Sequence, residues 1–186
     1  MEPITNFISD FIPFFRRYKN ALFEIRTKSI NNTIFRKHDA LTNCIVAYSL
    51  MPEILAQKLD KKAPSVSARI KNMKYIVKKG WKVGLRFDPL IYCNNWKAEY
   101  AELFANIFKE IKNENIHSIS LGPLRFPKGF FNKLLQFYPK AEEFSFLRSN
   151  EKGVVSYEQT LENEMNEYCR LELMKYSDAR KFFSCG

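Results

Sequence analysis

Arg26, Thr27, Lys28 and Ser29 close the run FEIRTKS, which opens on residues suited to a packed interior: Phe23 and Ile25, preceded by Ala21 and Leu22. Cations and hydroxyls at the tip of an apolar run can meet an anionic ligand, because ammonium and guanidinium groups pair with carboxylate or phosphate. Three more runs end in the same way. NCIVAYSL carries Ser49, with Glu53 just beyond it; WKVGLRFDPLIY carries Arg86 and Asp88; HSISLGPLRF carries Arg125. One polar strand end is most simply a chain reaching solvent. Four in succession place polar groups along one edge, and ligands of parallel α/β folds bind beyond the carboxyl ends of the strands.

Other chemistries are poorly served. The cysteines are Cys44, Cys93, Cys169 and Cys185, with no two spaced as CxxC or CxxxCxxC, and the two histidines, His38 and His117, lie far apart. A self-contained zinc or iron–sulfur site is therefore not expected. Cys44, Cys93 and Cys169 read as packing thiols. A disulfide framework does not suit the cytoplasmic setting inferred below.

The elements that must position these residues alternate strand and helix. An amphipathic helix over Asn6–Tyr18, interrupted by Pro13, precedes the first strand, ALFEIRTKS. The second strand is NCIVAYSL. SVSARIKNMKYIVKKG follows as a helix, with Ser65 or Ser67 as cap, Ile70, Met73 and Ile76/Val77 as its apolar stripe and Gly80 as its stop. WKVGLRFDPLIY is the third strand. Tyr100, Leu103, Phe104, Ile107, Phe108 and Ile111 mark one face of the next helix. HSISLGPLRF is the fourth strand, PKGFFNKLLQFYP a short helix, AEEFSFLRS a candidate last strand, and Glu158 to Tyr176 a charged helix. Phe14, Phe15, Phe104, Phe108, Phe130 and Phe131 read as core. Strands separated by helices imply parallel βαβ units. A full (β/α)₈ barrel takes about 250 residues. The 186 residues here suit a single domain (1–186) forming a partial (β/α) barrel of parallel strands with flanking helices. Residues 1–150 would form the βα units and 151–186 a C-terminal hairpin and helix region.

The net charge of +10 favours a polyanionic partner, nucleic acid before membrane. Abundant Lys, Asn, Ile, Phe and Tyr also follow from an AT-rich coding sequence, so charge alone lifts that reading only modestly. No run approaches the roughly 20 apolar residues of a membrane span, and the acidic start MEPITNFISD is unlike a secretory signal. A cytoplasmic protein is expected.

LFEIRTKS, IVAYSLMPE, APSVSARIKNMKYIVKKGWKVGLRFDPLI and SISLGPLRF resemble, in order and spacing, segments of the spore photoproduct lyase family, part of the radical S-adenosylmethionine superfamily. The resemblance implies that this chain corresponds to the C-terminal portion of a radical S-adenosylmethionine barrel. Family members carry a CxxxCxxC motif holding a [4Fe–4S] cluster, and a hydrogen-donating cysteine, both upstream of the segment aligned with EPITNF. In the family the cluster reduces S-adenosylmethionine to a 5′-deoxyadenosyl radical, which removes hydrogen from a thymine photoproduct in DNA and lets it split back to two thymines.

Residue by residue, the resemblance implies that Lys28 contacts the cofactor, that Ser49 hydrogen-bonds it, and that Asp88 lies where the third strand passes it. Arg26 and Arg125 are candidates either for DNA phosphate contact or for internal salt bridges. A family Arg-Tyr pair on a hairpin wedges into the DNA; in GVVSYEQ, Tyr157 fills the tyrosine position and Ser156 stands where arginine is expected. Cys185 matches a C-terminal family cysteine and is assigned no chemistry. The expected function is the C-terminal portion of a lyase that repairs ultraviolet thymine lesions, contributing cofactor and DNA contacts and inactive without an N-terminal half-enzyme chain to supply the cluster. The alternatives are a non-catalytic, basic nucleic-acid-binding remnant and an inactive truncated gene product.

Overall fold

The computed structural model describes residues 7–139 and 144–184. Helix α1 (Phe7–Arg17) leads to β1 (Phe23–Thr27). Next come α2 (Thr33–Lys37), β2 (Cys44–Ser49), α3 (Glu53–Leu59), α4 (Val66–Lys78), β3 (Lys82–Leu90), α5 (Trp96–Glu110) and β4 (Ile116–Pro123). The chain continues through β5 (Phe126–Pro127), α6 (Lys128–Phe137), β6 (Arg148–Ser149), β7 (Val154–Ser156), α7 (Gln159–Met174) and β8 (Phe182–Ser184). One sheet has the order β1-β2-β3-β4-β8, with every neighbouring pair parallel. A small antiparallel sheet has the order β5-β7-β6. This is the α/β architecture that the alternation of strand and helix predicts.

The two faces of the main sheet differ in kind. Successive strand side chains point to opposite faces. Val46 and Tyr48 on β2, Val83, Leu85 and Phe87 on β3 and Ile119 on β4 join one buried core with Ile70, Met73 and Ile76 of α4 and Tyr100, Leu103, Phe104 and Ile107 of α5. The alternate positions carry Glu24 and Arg26 on β1, Ala47 on β2, Gly84 and Arg86 on β3, and Ser118 and Ser120 on β4, brought side by side by the strand register. Parallel sheets normally have apolar cover on both faces. Here one face sets charged and small residues around the buried Ile45.

Hydroxyl and amide groups tie the layers together. Asn72 donates to the Tyr48 hydroxyl at 2.6 Å, joining α4 to β2. The side-chain nitrogen of Asn43 lies 2.9–3.1 Å from the carbonyls of Phe15, Tyr18 and Ala21, anchoring the end of α1. Ser65 caps α4 by accepting from the Ala68 N–H at 3.2 Å, as its position predicts. Glu53, expected beside the strand-end polar groups, instead accepts from the Ser67 N–H at 3.0 Å, a second partner for the start of α4.

Several expectations are corrected. Helix α1 runs through Pro13. Buried Ile12 and the stack of Phe15 on Phe23 at 4.5 Å secure it, and that packing outweighs one missing backbone bond. Helices α2 and α3 are too short to show a periodic signal. Phe126 leaves the fourth strand for the small sheet. The candidate strand at 141–149 begins outside the described residues, and only Arg148–Ser149 of its remainder is extended and paired. The fifth parallel strand, β8, was not expected. Phe104 and Phe131 are core, whereas Phe14 and Phe130 are half exposed. Cys185 lies outside the described residues. No helix among those residues is long and apolar enough to cross a membrane.

Arg86 lies back over Gly84: a Cβ added at Gly84 would come within 2.8 Å of a guanidinium nitrogen. Gly84→Ala is therefore expected to destabilise the fold by about 1–3 kcal/mol through overpacking, read as a lowered midpoint in urea unfolding. An unchanged midpoint would show that Arg86 moves aside at no cost.

Candidate functional site

FEIRTKS divides its polar residues between two tasks. The hydroxyls build the turn after β1: Thr27 Oγ1 accepts from the Ser29 N–H at 2.9 Å and Ser29 Oγ from the Asn31 N–H at 3.1 Å. Asn31 then accepts from the Thr33 N–H at 2.9 Å at the entry to α2. These are local side-chain turns. The cations face acids. Arg26 lies 3.4 Å from both Glu24 and Asp88, and Lys28 donates to Asp60 at 2.6 Å.

On the polar face, Arg86 is almost wholly buried and spends all its donors. It meets the two Glu24 oxygens at 2.5 and 3.2 Å, the Ser118 hydroxyl at 2.9 Å and the Ser118 and Leu85 carbonyls at 3.1 Å. The Phe183 ring covers the guanidinium at 4.9 Å. Ser120 donates to Asp88 at 3.2 Å. Hydrogen bonding from Arg86 holds the Glu24 carboxyl below its ordinary value, against the opposing pull of burial, and Arg26 adds to the effect.

Beyond the strand ends lies a cavity of about 1080 Å³. Lys28 and Asp60 stand in its wall, with Met51 after β2, Pro89 and Ile91 at the end of β3, and Leu124 after β4. Phe126, Phe130, Tyr138 and Phe144 form an aromatic side, and Lys58, Lys61 and Lys62 a basic one. Two tyrosine hydroxyls pin the segment after β3: that of Tyr100 accepts from the Ile91 N–H at 2.8 Å and that of Tyr157 from the Tyr92 N–H at 2.9 Å.

The six residues singled out from sequence are therefore distributed. Lys28 faces the cavity. Ser49 ends β2, its carbonyl accepting from Arg69 at 3.1 Å. Asp88 and Arg26 belong to the charged network of the polar face. Arg125 lines a second cavity, of about 940 Å³, with Glu162, Glu167 and Arg170. Tyr157 is packed in the core, where burial pushes its hydroxyl up to about 12, so its ring is not presented to a stacking base. Ser156 is buried too, its hydroxyl engaged by the Leu124 carbonyl at 2.8 Å and by Glu162.

Sequence reading missed Asp60 and Arg69. Arg69 stands three residues after Val66 and four before Met73, which puts it on the buried face of α4. That position was the available signal. Among the described residues the cysteines do not suit an iron–sulfur cluster: Cys44 and Cys169 are buried, burial pushing Cys44 up to about 12 and Cys169 up as well. No group of three or more His, Cys, Asp or Glu side chains among the described residues is placed to hold a metal ion.

The family model of spore photoproduct lyase matches residues 1–153. Solved structures agree at the level of the fold. A spore photoproduct lyase double mutant with bound AdoMet and dinucleoside spore photoproduct superposes with a TM-score of 0.71 at 15% identity. A spore photoproduct lyase complexed with dinucleoside spore photoproduct gives 0.69 at 14%, and a single mutant 0.70 at 15%. Each match covers 88% of this chain and 50% of the other, so the chain spans about half the length of those proteins. Curated protein sequences give no match.

The Glu24 pairing has a pH signature. A carboxyl whose folded value is lowered adds stability that is present above its ordinary value, 4.5, and is lost as pH falls through the lower folded value. Urea midpoints of the unmutated chain should thus fall on acidification below about that pH. Glu24→Gln should be less stable at neutral pH and lose less on acidification, and parallel curves for the two proteins would contradict the assignment.

Proposed function

The chain belongs to the spore photoproduct lyase family, and from that premise we propose that it supplies the cofactor- and lesion-facing half of a spore photoproduct lyase site, acting on thymine lesions in DNA only when a cluster-bearing half completes it. The observation that carries this reading is the Lys28 ammonium set into the wall of a large cavity at the carboxyl ends of parallel strands. That cavity is roomy enough for a nucleoside-sized ligand, and its mixed basic and aromatic lining suits both carboxylate and base. S-adenosylmethionine held there would, with a cluster carried elsewhere, supply the hydrogen-abstracting chemistry of the family.

This chain's own residues bind and orient. Lys28 pairs with the methionyl carboxylate as a compact cation. Ser49 and Asp88 do not line the cavity; the family resemblance assigns them to the same ligand where it would extend from the cavity over the polar face, Ser49 as a hydrogen-bond partner and Asp88 as an acceptor for ribose hydroxyls. Phe126, Phe130 and Tyr138 offer faces for unstacked bases, and Lys58, Lys61 and Lys62 offer charge to phosphates. Arg26 serves as an internal partner of Glu24 and Asp88. The completing half pairs along β1, which has a neighbour on one side only among the described residues. Beside it, Phe7, Phe14 and Tyr18 of the α1 region are at least half exposed. An unpaired edge with adjacent apolar surface is a template for a further strand and its helix.

The basic side of the cavity also favours a second reading, a nucleic-acid-binding protein without catalysis. Titration calorimetry with S-adenosylmethionine and fluorescence anisotropy with a thymidine oligonucleotide separate the two. On the first reading the chain binds the cofactor, Lys28→Ala weakens that binding about tenfold or more, and DNA binding is little changed. Salt-sensitive DNA binding with no cofactor binding would favour the second. In either case, replacing Lys58, Lys61 and Lys62 together by serine should flatten the dependence of DNA affinity on salt by up to about three phosphate contacts.

A further inference from the structure

Lys28 does not stand alone at the cavity wall. Its ammonium donates to Oδ1 of Asp60 at 2.6 Å, and the other oxygen of Asp60 accepts from Arg69 at 2.9 Å. Arg69 is fully buried. Two further donors reach the Pro64 carbonyl at 2.9 Å and the Ser49 carbonyl at 3.1 Å. One guanidinium thus clasps the end of β2, the segment leading into α4, and the Asp60 carboxylate. Burial pushes the Asp60 carboxyl up, but hydrogen bonds from Lys28 and Arg69 outweigh it and hold it below its ordinary value.

We infer that Asp60, fixed from behind by Arg69, is the positioning residue for Lys28, holding its ammonium at the cavity wall for the anionic group of the ligand. The assignment of that ligand rests on the function proposed above; the positioning rests on the contacts alone. A lysine has a flexible four-carbon stem and loses considerable rotamer entropy when it is placed. Asp60 makes that loss before ligand arrives. It occupies one of the three ammonium donors and leaves two. Two cations on one carboxylate also leave the cluster with a net positive charge, so the acid aims the lysine without cancelling the attraction for an anion.

The rival account is that Asp60 only neutralises buried Arg69. Asp60→Asn separates the two. An amide oxygen still accepts from Arg69, while the amide nitrogen that replaces the second oxygen cannot accept from Lys28. The experiment is competitive labelling of the folded 186-residue chain with trace acetic anhydride, with Lys61 and Lys62 as exposed internal references. Lys28 should react about three- to tenfold more slowly than these, a range set by a charged hydrogen bond that is partly open to solvent. Asp60→Asn should bring Lys28 level with them, and Asp60→Glu should restore much of the protection. Lys28 reactivity unchanged by Asp60→Asn would overturn the proposal.

Should Asp60→Asn fail to fold, the unmutated chain still decides. The Lys28 ammonium should give a resolved, slowly exchanging ¹⁵N signal at low temperature, and the absence of that signal counts against the pairing. A double-mutant cycle completes the test. With S-adenosylmethionine as the probe, Asp60→Asn should weaken binding by the same three- to tenfold range and add nothing in a Lys28→Ala background. An equal loss in both backgrounds would make Asp60 an independent determinant and overturn positioning. If the unmutated chain binds no S-adenosylmethionine, the functional reading fails, while labelling still reports whether Asp60 holds Lys28.

Discussion

The Glu24–Arg86 pair is the contact around which the polar side of the molecule is arranged. Arg86 spans the face of the sheet from β3 to β1 on one side and to Ser118 of β4 on the other, so three strands share one guanidinium. A buried guanidinium is tolerable only when its charge and its donors all find partners. Here a carboxylate, a hydroxyl and two carbonyls supply them, and the Phe183 ring closes the top. Small neighbours make the room. Gly84 stands where a larger side chain would meet the Arg86 guanidinium, and Ser118 and Ser120 contribute hydroxyls in place of bulk.

That arrangement gives the sheet its polarity. Its other face is closed by α4 and α5 in an apolar core of the ordinary kind, where burial supplies the stabilisation. The charged face cannot be sealed with aliphatic side chains without stranding its ions. It suits a surface turned toward a cavity, a polar ligand or a further polar wall. The strand ends lift the same polarity into the cavity, where Asp60 and Arg69 repeat the device on a smaller scale: a buried arginine holds an acid, and the acid holds an outward cation.

Legibility differed from layer to layer. Strand and helix alternation, the capping serine at Ser65 and the apolar stripes of α4 and α5 were readable because each depends on neighbours within a few positions. The short elements were not. Helices α2 and α3 offer too few turns for a period, and β8 has three residues whose pairing with β4 is set by α7 carrying the chain back. Glu53 was read as a site residue and proved to be a helix cap, since proximity along the chain to Ser49 does not say which backbone N–H groups lie within reach. Tyr157 matched a family position yet lies in the core, where its hydroxyl serves the backbone at Tyr92.

The amino-acid sequence by itself determined the α/β class, the apolar face of each long helix, and a family resemblance that singles out Lys28 as a candidate. These follow from periodicity, from residue type and from motifs in order, all of which are written along one dimension. Only the tertiary structure decided which acid meets which base. Glu24 and Arg86 are 62 residues apart, as are Arg26 and Asp88, and Lys28 lies 32 from Asp60. Such pairs are chosen by strand register and by the crossing of α4 over β2. A charge has no period, and its partner is whichever opposite charge the backbone carries within a few ångströms.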